Sequence, residues 1–315
     1  MKTRMTLSLA ALALVSSGHA FGSCGAAQCM VNTQWDSLGT DTASGWRADI
    51  SVDRINADQV RHGTHKASSD EVLAAGDDVL EEHTRSLNTT LTVDYSPAPT
   101  WGVSLSLPVV GRSHSHIDTA GPTAESWDFH RLGDARLSGR MQLRQADQYE
   151  VGVRLGLKLP TGQTDLSNAE GTVAERALQP GTGTTDLLAG LYADGRVTGK
   201  LRWFSQLGLQ HALDSHQDFK PGDSVSLDLG MGYSQNHALS LVLQLNGLIR
   251  AHDTGAEAEP DMSGGRYVSL APGFSYAVAT RTQLYGYVQL PVYQWVRGYQ
   301  LTADYGVSLG LRHYF

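Results

Sequence analysis

Hydrophobic and polar residues alternate along most of this chain. In "YGVSLGLRHYF", residues 305–315, every second position from Tyr305 to Phe315 is apolar or aromatic apart from His313, and the residues between are mostly small, polar or charged. A period of two predicts a β-strand with one apolar and one polar face. The same alternation predicts twelve strands, at residues 46–53, 87–95, 101–109, 134–144, 149–159, 186–193, 200–213, 224–233, 238–250, 267–278, 283–294 and 300–315.

The connections between these strands differ in length. Long polar stretches follow the first, third and fifth strands, at residues 56–82, 113–128 and 161–183, whereas tight turns such as "SPAP" at 96–99 lie between them. An even number of strands, with long loops on one rim and short turns on the other, is typical of bacterial outer-membrane barrels. The fold predicted is therefore all-β, a single transmembrane antiparallel β-barrel of about 12 strands over residues 46–315. A secreted β-sandwich is the alternative, and it would leave sheet edges to protect.

The N-terminus predicts export. Lys2 and Arg4 precede an apolar run, and Gly18 and Ala20 suit a signal-peptidase cut, so residues 1–20 are predicted to be a signal peptide. Residues 21–45 then form a periplasmic N-terminal segment. Its Cys24 and Cys29 are predicted to form a local disulfide, with a redox or metal role as the alternative. Whether this segment plugs the barrel is left open by the sequence.

Composition narrows the class of protein. The mean hydropathy of −0.25 argues against a helical membrane protein. The net charge of −8 gives no basic footprint, so we expect no nucleic-acid partner. The apolar strand faces are predicted to contact outer-membrane lipid, and the terminal Phe315 resembles the signal that barrel-assembly machinery reads. The predicted location is the bacterial outer membrane.

The polar strand faces would line the lumen, and they carry charge of both signs. The basic side chains would lie on one arc of the wall and the acidic ones on another. Their charges would pair across a water-filled bore or hold a plug segment. Inward glycines would widen the bore, and inward tyrosines would stack solutes or fill space. The predicted channel-lining residues are Arg136, Arg140, Arg154, Lys158, Arg202, Asp49, Asp53, Asp228, Asp304, Tyr285, Tyr287 and Tyr293.

Three stretches carry a family resemblance: "GLKLPTGQTDL" at 156–166, "LQPGTGTTDLLAGLYAD" at 178–194 and "PGDSVSLDLGMGYS" at 221–234. They resemble the MetA-pathway of phenol degradation family, outer-membrane barrels that are labelled transporters. The likeness extends over residues 102–315. It implies a channel for passive uptake or export of small molecules, aromatic or hydrophobic ones among them, that needs no cofactor.

Two other functions are weighed against transport. "RHGTH" supplies His62 and His65, and "RSHSH" supplies His114 and His116. Imidazoles at such spacings can share a zinc or copper ion, so a metal-binding barrel is one alternative. A structural barrel without transport is the other. We expect no enzymatic activity, because an outward Ser and His on neighbouring strands, as an outer-membrane hydrolase needs, are not found.

Overall fold

A computed structural model describes residues 44–76, 79–118 and 123–315 of the chain. The predicted signal peptide and almost all of the predicted periplasmic segment lie outside these residues. The described elements are one short helix, α1 (Ser69–Ala74), and the strands β1 (Gly45–Gly63), β2 (His65–Lys66), β3 (Val79–Ala98), β4 (Trp101–Asp118), β5 (Thr123–Leu132), β6 (Ala135–Gln145), β7 (Tyr149–Leu159), β8 (Asp186–Arg196), β9 (Leu201–Ala212), β10 (Ser224–Ser234), β11 (Leu239–Arg250), β12 (Gly265–Ala279) and β13 (Thr282–Tyr314).

These strands close into an antiparallel barrel. Every strand pairs with its neighbours in chain order, apart from the short β2 and β5, and β13 returns to pair with β1. The 33-residue β13 crosses the wall twice. Its first part pairs with β12 and its second part with β1, and the chain reverses at Gly298, whose φ of 63° favours glycine. Eleven strands therefore form the described ring and supply twelve passes, which confirms the predicted fold class.

The outer surface carries an apolar belt with an aromatic edge. On β1 the outward side chains Trp46, Ile50 and Val52 are exposed, and the next outward residue, Arg54, ends the apolar stretch. Exposed aromatic side chains line the rim that bears the short turns, as expected where a barrel meets the membrane interface. They are Trp46, Tyr95, Trp101, Tyr149, Tyr233, Tyr276 and Phe315. This rim is periplasmic, and the rim with the long connections is extracellular.

Two regions predicted to be outer loops are mostly strand. β1 continues to Gly63, β3 begins at Val79, β4 continues to Asp118, and β5 pairs with the outer half of β4. Alternation identifies a strand only where its two faces meet different environments. Beyond the apolar belt both faces of a strand are polar. The alternation of apolar and polar residues therefore ends there although the strands continue. No helix in the described part of the chain is long and apolar enough to cross a membrane.

The connection between β7 and β8 folds over the extracellular mouth. Leu178, which is fully buried, packs with Trp127 of β5, and Arg112 of β4 donates a hydrogen bond to the Ala177 carbonyl (2.9 Å). On its other side, the guanidinium of Arg176 lies 5.0 Å from the ring of Phe219, in the connection between β9 and β10. The predicted long loop at 161–183 is therefore a structured bridge between two sides of the mouth.

Candidate functional site

The barrel interior is the candidate site, and the residues of the predicted basic arc make contacts along its wall. Arg140 donates a hydrogen bond to the Ser96 hydroxyl (3.1 Å), and the guanidinium of Arg154 lies 5.6 Å from the ring centroid of Tyr192. Both contacts join neighbouring or nearby strands along the wall. These cations therefore have local partners rather than partners across the bore.

Arg136 differs from the other cations of the arc. Its cross-strand partners, Ser106 and Lys158, are buried and inward-facing, and the Arg136 side chain is exposed between them. The carboxylates of Asp186 and Asp134 act on its charge from the neighbouring wall. Arg202, in contrast, lies 3.4 Å from the Asp194 carboxylate. Arg136 is thus a cation that presents its charge to the bore.

The aspartates of the predicted acidic arc have local partners within the wall. Arg312 on the last pass of β13 lies 2.9 Å from one oxygen of Asp49, and the Tyr285 hydroxyl donates to the other oxygen at 2.8 Å. Asp53 accepts a hydrogen bond from Ser308 at 2.5 Å. These contacts cross the seam between β1 and β13. These aspartates therefore do not have to pair with the basic arc across the bore. Asp228 also has a local partner, the Asn246 amide at 2.7 Å.

A second charged cluster lies at the extracellular end of the bore. The Lys158 ammonium is 2.9 Å from Asp186 and 3.4 Å from Asp134. Thr184 donates a hydrogen bond to Asp186 (2.7 Å), and the Thr182 amide donates to Asp134 (2.9 Å). We call this cluster, formed by Asp134, Lys158, Thr182, Thr184 and Asp186, the neck cluster. It ties both ends of the β7–β8 connection to the barrel wall.

Sequence reasoning placed Lys158 in the lumen but missed Asp134, Thr182 and Thr184 as its partners. The signal was present in the "LPTG" and "QPGTGTTD" stretches, which bring their glycines together at this point. A Cβ on Gly162 would lie 2.7 Å from the Gly181 backbone, so only glycine allows the two segments to approach so closely. Two of the three stretches that carry the family resemblance, at 156–166 and 178–194, therefore meet at the neck of the loop.

Inward aromatic rings lie flat against the wall. The rings of Tyr285 and Tyr287 occupy the space into which a Cβ on Gly310 and on Gly273 would project, and Phe204 covers Gly230 in the same way. The inward glycines therefore accommodate rings instead of only widening the bore. Tyr285 and Tyr287 are each 3% exposed, and they form one buried cluster with Phe204, Val242 and Ala271. These rings therefore fill part of the barrel interior at this level.

Two predicted lining residues lie on the outer surface instead. Tyr293 is 44% exposed, because a bulge between its pairing with Val268 and the next pair reverses the inside–outside alternation of β13. Asp304 is exposed beside a second bulge, where Ala57 pairs with Ala303 and Asn56 pairs with Tyr305. A bulge adds one residue to one strand, so every residue beyond it changes face.

The four predicted metal ligands form two separate clusters. His62 stacks on Tyr299 with ring centroids 4.6 Å apart, and His65 lies 2.8 Å from Glu71 of α1. All three of His62, His65 and Glu71 are near enough to share one ion. The hydrogen bond from His65 holds the pKa of Glu71 below its ordinary value. This outer cluster is solvent-exposed.

The other pair is buried in the extension of β4 beyond the membrane belt. The Nε2 atom of His114 is 3.2 Å from Nδ1 of His116 and 3.6 Å from the Glu81 carboxylate of β3. The ring of Trp127 covers both imidazoles, with centroids 5.7 Å and 5.2 Å away. Burial lowers the pKa of His114 to about 3, so its imidazole is neutral near pH 7. Glu81 was not among the predicted ligands. Cys24 and Cys29 lie outside the described residues.

Comparison with known proteins supports the fold. No protein-family model matches the chain, and no curated protein matches it. The COG4313 outer membrane channel from Pseudomonas putida F1 has a TM-score of 0.67 at 15% identity, covering 87% of this chain and 96% of its own. The TodX deltaS2S3 mutant monoaromatic hydrocarbon channel has a TM-score of 0.50 at 11% identity, covering 89% and 93%. A closed barrel with a lipid-facing belt, shared with such channels, is a bacterial outer-membrane fold.

Proposed function

We propose that this chain is an outer-membrane channel for the passive passage of small solutes, aromatic ones among them, and that it is not an enzyme. The observation that carries the proposal is the composition of the narrow bore. The interior of the barrel holds the buried rings of Phe204, Tyr285 and Tyr287 beside the Asp49–Arg312 ion pair. A planar solute with a polar edge matches both parts of that surface.

The size of the barrel supports small solutes. Twelve passes enclose far less space than the 16 to 18 strands of barrels that leave an open aqueous channel. The β7–β8 connection covers part of the mouth, and the aromatic cluster narrows the bore below it. Both features favour slow, size-limited passage over general diffusion.

Two further observations agree with this proposal. The stretches at 156–166 and 178–194, which resemble a family labelled as transporters, form the neck cluster at the mouth. Two solved structures of similar fold are described as an outer membrane channel and a monoaromatic hydrocarbon channel. The exposed Arg136 side chain supplies a positive contact for the polar group of a solute entering from outside.

The test is solute flux through liposomes that contain the refolded chain without its signal peptide. We expect phenol to cross faster than a sugar of similar size, and a steady small conductance in planar bilayers. Tyr287→Ala should raise the ion conductance and reduce the preference for phenol, because it removes a ring from the narrow level of the bore. Tyr293→Ala is the matched control, since this tyrosine lies outside the barrel.

A structural barrel without transport makes the opposite prediction. No flux above that of protein-free liposomes, with a barrel that is demonstrably folded, would contradict the channel. Equal conductance of the two tyrosine variants would show that the aromatic cluster does not limit passage.

A further inference from the structure

Two histidines and a glutamate converge in the outer wall, away from the bore that the proposed channel uses. They are His114 and His116 of β4 and Glu81 of β3, and their nearest ligand atoms all lie within 4.8 Å of one another. We propose that these three side chains bind one Zn²⁺ ion. The ion would take its ligands from Nε2 of His114, Nδ1 of His116 and a carboxylate oxygen of Glu81.

The distances suit a tetrahedral ion. With zinc–nitrogen bonds of about 2.0–2.1 Å, two ligand nitrogens on one tetrahedral zinc lie roughly 3.3 Å apart. The two imidazole nitrogens are 3.2 Å apart, and the Glu81 carboxylate is 3.6 Å from Nε2 of His114. Side-chain movements of a few tenths of an ångström would complete the site. Two histidines and one carboxylate leave a fourth position for water or another ligand.

On each histidine, the ring nitrogen that points away from the proposed ion has a polar side chain beside it. Nδ1 of His114 is 2.9 Å from the Thr84 hydroxyl, and Nε2 of His116 is 3.7 Å from the Glu125 carboxylate. A proton on each of these nitrogens leaves a lone pair on the nitrogen that faces the ion. Proteins usually orient a zinc-bound imidazole by a side chain that accepts a hydrogen bond from its other ring nitrogen. The arrangement therefore supplies both the ligands of a metal ion and the side chains that orient them.

Burial and access also agree with a metal site. His114 is 1% exposed and His116 is 3% exposed, so they are held rigidly beneath Trp127. Glu81 borders a cavity that is also lined by Asp58, Val72 of α1 and Tyr299. In this proposal the ion approaches Glu81 through this cavity.

The outer cluster is a weaker competitor for the same ion. His62, His65 and Glu71 are largely solvent-exposed, and His65 already forms a 2.8 Å hydrogen bond with Glu71. An ion there would have to replace that bond and order flexible side chains in water. The two clusters thus provide an internal comparison on one chain.

The experiment measures Co²⁺ binding by its visible absorption, followed by displacement with Zn²⁺, on folded protein purified without a histidine tag. We expect one ion per chain with the absorption of a tetrahedral site. His116→Gln should weaken binding more than about 100-fold, and Glu125→Gln by about 10–100-fold, as for other second-shell changes. His62→Gln combined with His65→Gln should leave the affinity unchanged. A Cys24→Ser, Cys29→Ser background removes thiolate ligands from the measurement.

Glu125→Gln keeps the test decisive even if His116→Gln does not fold, because Glu125 is partly exposed and the change is nearly isosteric. Absence of binding by the folded unmodified chain would overturn the proposal. So would wild-type affinity in the His116 and Glu125 variants. Loss of the tetrahedral spectrum in the His62, His65 variant alone would assign the ion to the outer cluster and overturn the proposal as well.

Discussion

The two ends of the bore use the same chemistry for different purposes. At the periplasmic end Arg312 is buried against Asp49 and Tyr285, and at the extracellular end Lys158 is buried between Asp134 and Asp186. The first cluster joins the first strand to the last, so it fixes the register in which the barrel closes. The neck cluster joins the wall to both ends of the β7–β8 connection, so it holds this connection over the mouth.

The comparison also shows how each cluster tolerates its buried charge. Asp134 and Asp186 accept further hydrogen bonds, from the Gly162 amide at 3.0 Å and from Thr184 at 2.7 Å. Arg312 has the Asp49 carboxylate and the face of the Tyr285 ring, 5.3 Å from its guanidinium. Removing one charged side chain should therefore lower the unfolding free energy more at the Asp49–Arg312 pair than in the neck cluster.

The largest effect is expected from Asp49→Asn. It removes the charge of the carboxylate that lies 2.9 Å from the buried Arg312, and breaking a buried ion pair typically costs about 3–5 kcal/mol of unfolding free energy. Urea unfolding of the protein in bilayers would measure this loss. Adding Arg312→Met should restore part of it, since the uncompensated charge is then gone. Losses that simply add in the double variant would mean that the two side chains are not coupled.

A smaller effect is expected from Lys158→Met. The neighbouring carboxylates retain other hydrogen-bond donors, so we expect a loss of about 1–3 kcal/mol. The change should be visible first in the loop, as faster protease cleavage within residues 161–183 and larger conductance fluctuations. Lys200→Met, at an exposed lysine in a tight turn, is the control. Unchanged cleavage in Lys158→Met would separate the neck cluster from control of the mouth.

The smallest effect on stability, and a clear one on function, is expected from Arg136→Glu. This side chain is exposed, so the unfolding free energy should change less than in Lys158→Met, although the new carboxylate would be repelled by Asp186 and Asp134, whose charges act on position 136. Reversing its charge should shift the ion selectivity of the conductance towards cations. Arg131→Glu, an exposed residue of β5, should leave selectivity unchanged. Equal selectivity in both variants would remove Arg136 from the path of the solute.

Alternation was sufficient to predict the strands wherever one face meets lipid and the other the interior. It predicted Lys158 and Tyr287 on the inner face and Leu309 on the outer one, and the first two are buried whereas Leu309 is 50% exposed. It failed for Tyr293, because a bulge is a local change of register that leaves no mark in the hydrophobic pattern.

The candidate sites depend on contacts between strands, and these were only partly predictable. The spacing of His114 and His116 indicates that they share a face, but it says nothing of Glu81 or Thr84. The pairing of Thr84 with His114 depends on a register shift between Tyr95 and Ala98, beside the turn, so extending the hairpin from the turn would have placed Thr84 opposite the wrong residue. The pairing of Glu81 with His116 follows a bulge and was out of reach.

The pairing of β1 with the second part of β13 has a consequence for biogenesis. Arg47 pairs with Tyr314, at opposite ends of the described chain, and the Phe315 amide donates to the Trp46 carbonyl at 3.0 Å. Until the second part of β13 pairs with β1, the sheet has two free edges that can pair with other chains. A chain that lacks this part of β13 is therefore expected to expose both edges and to aggregate.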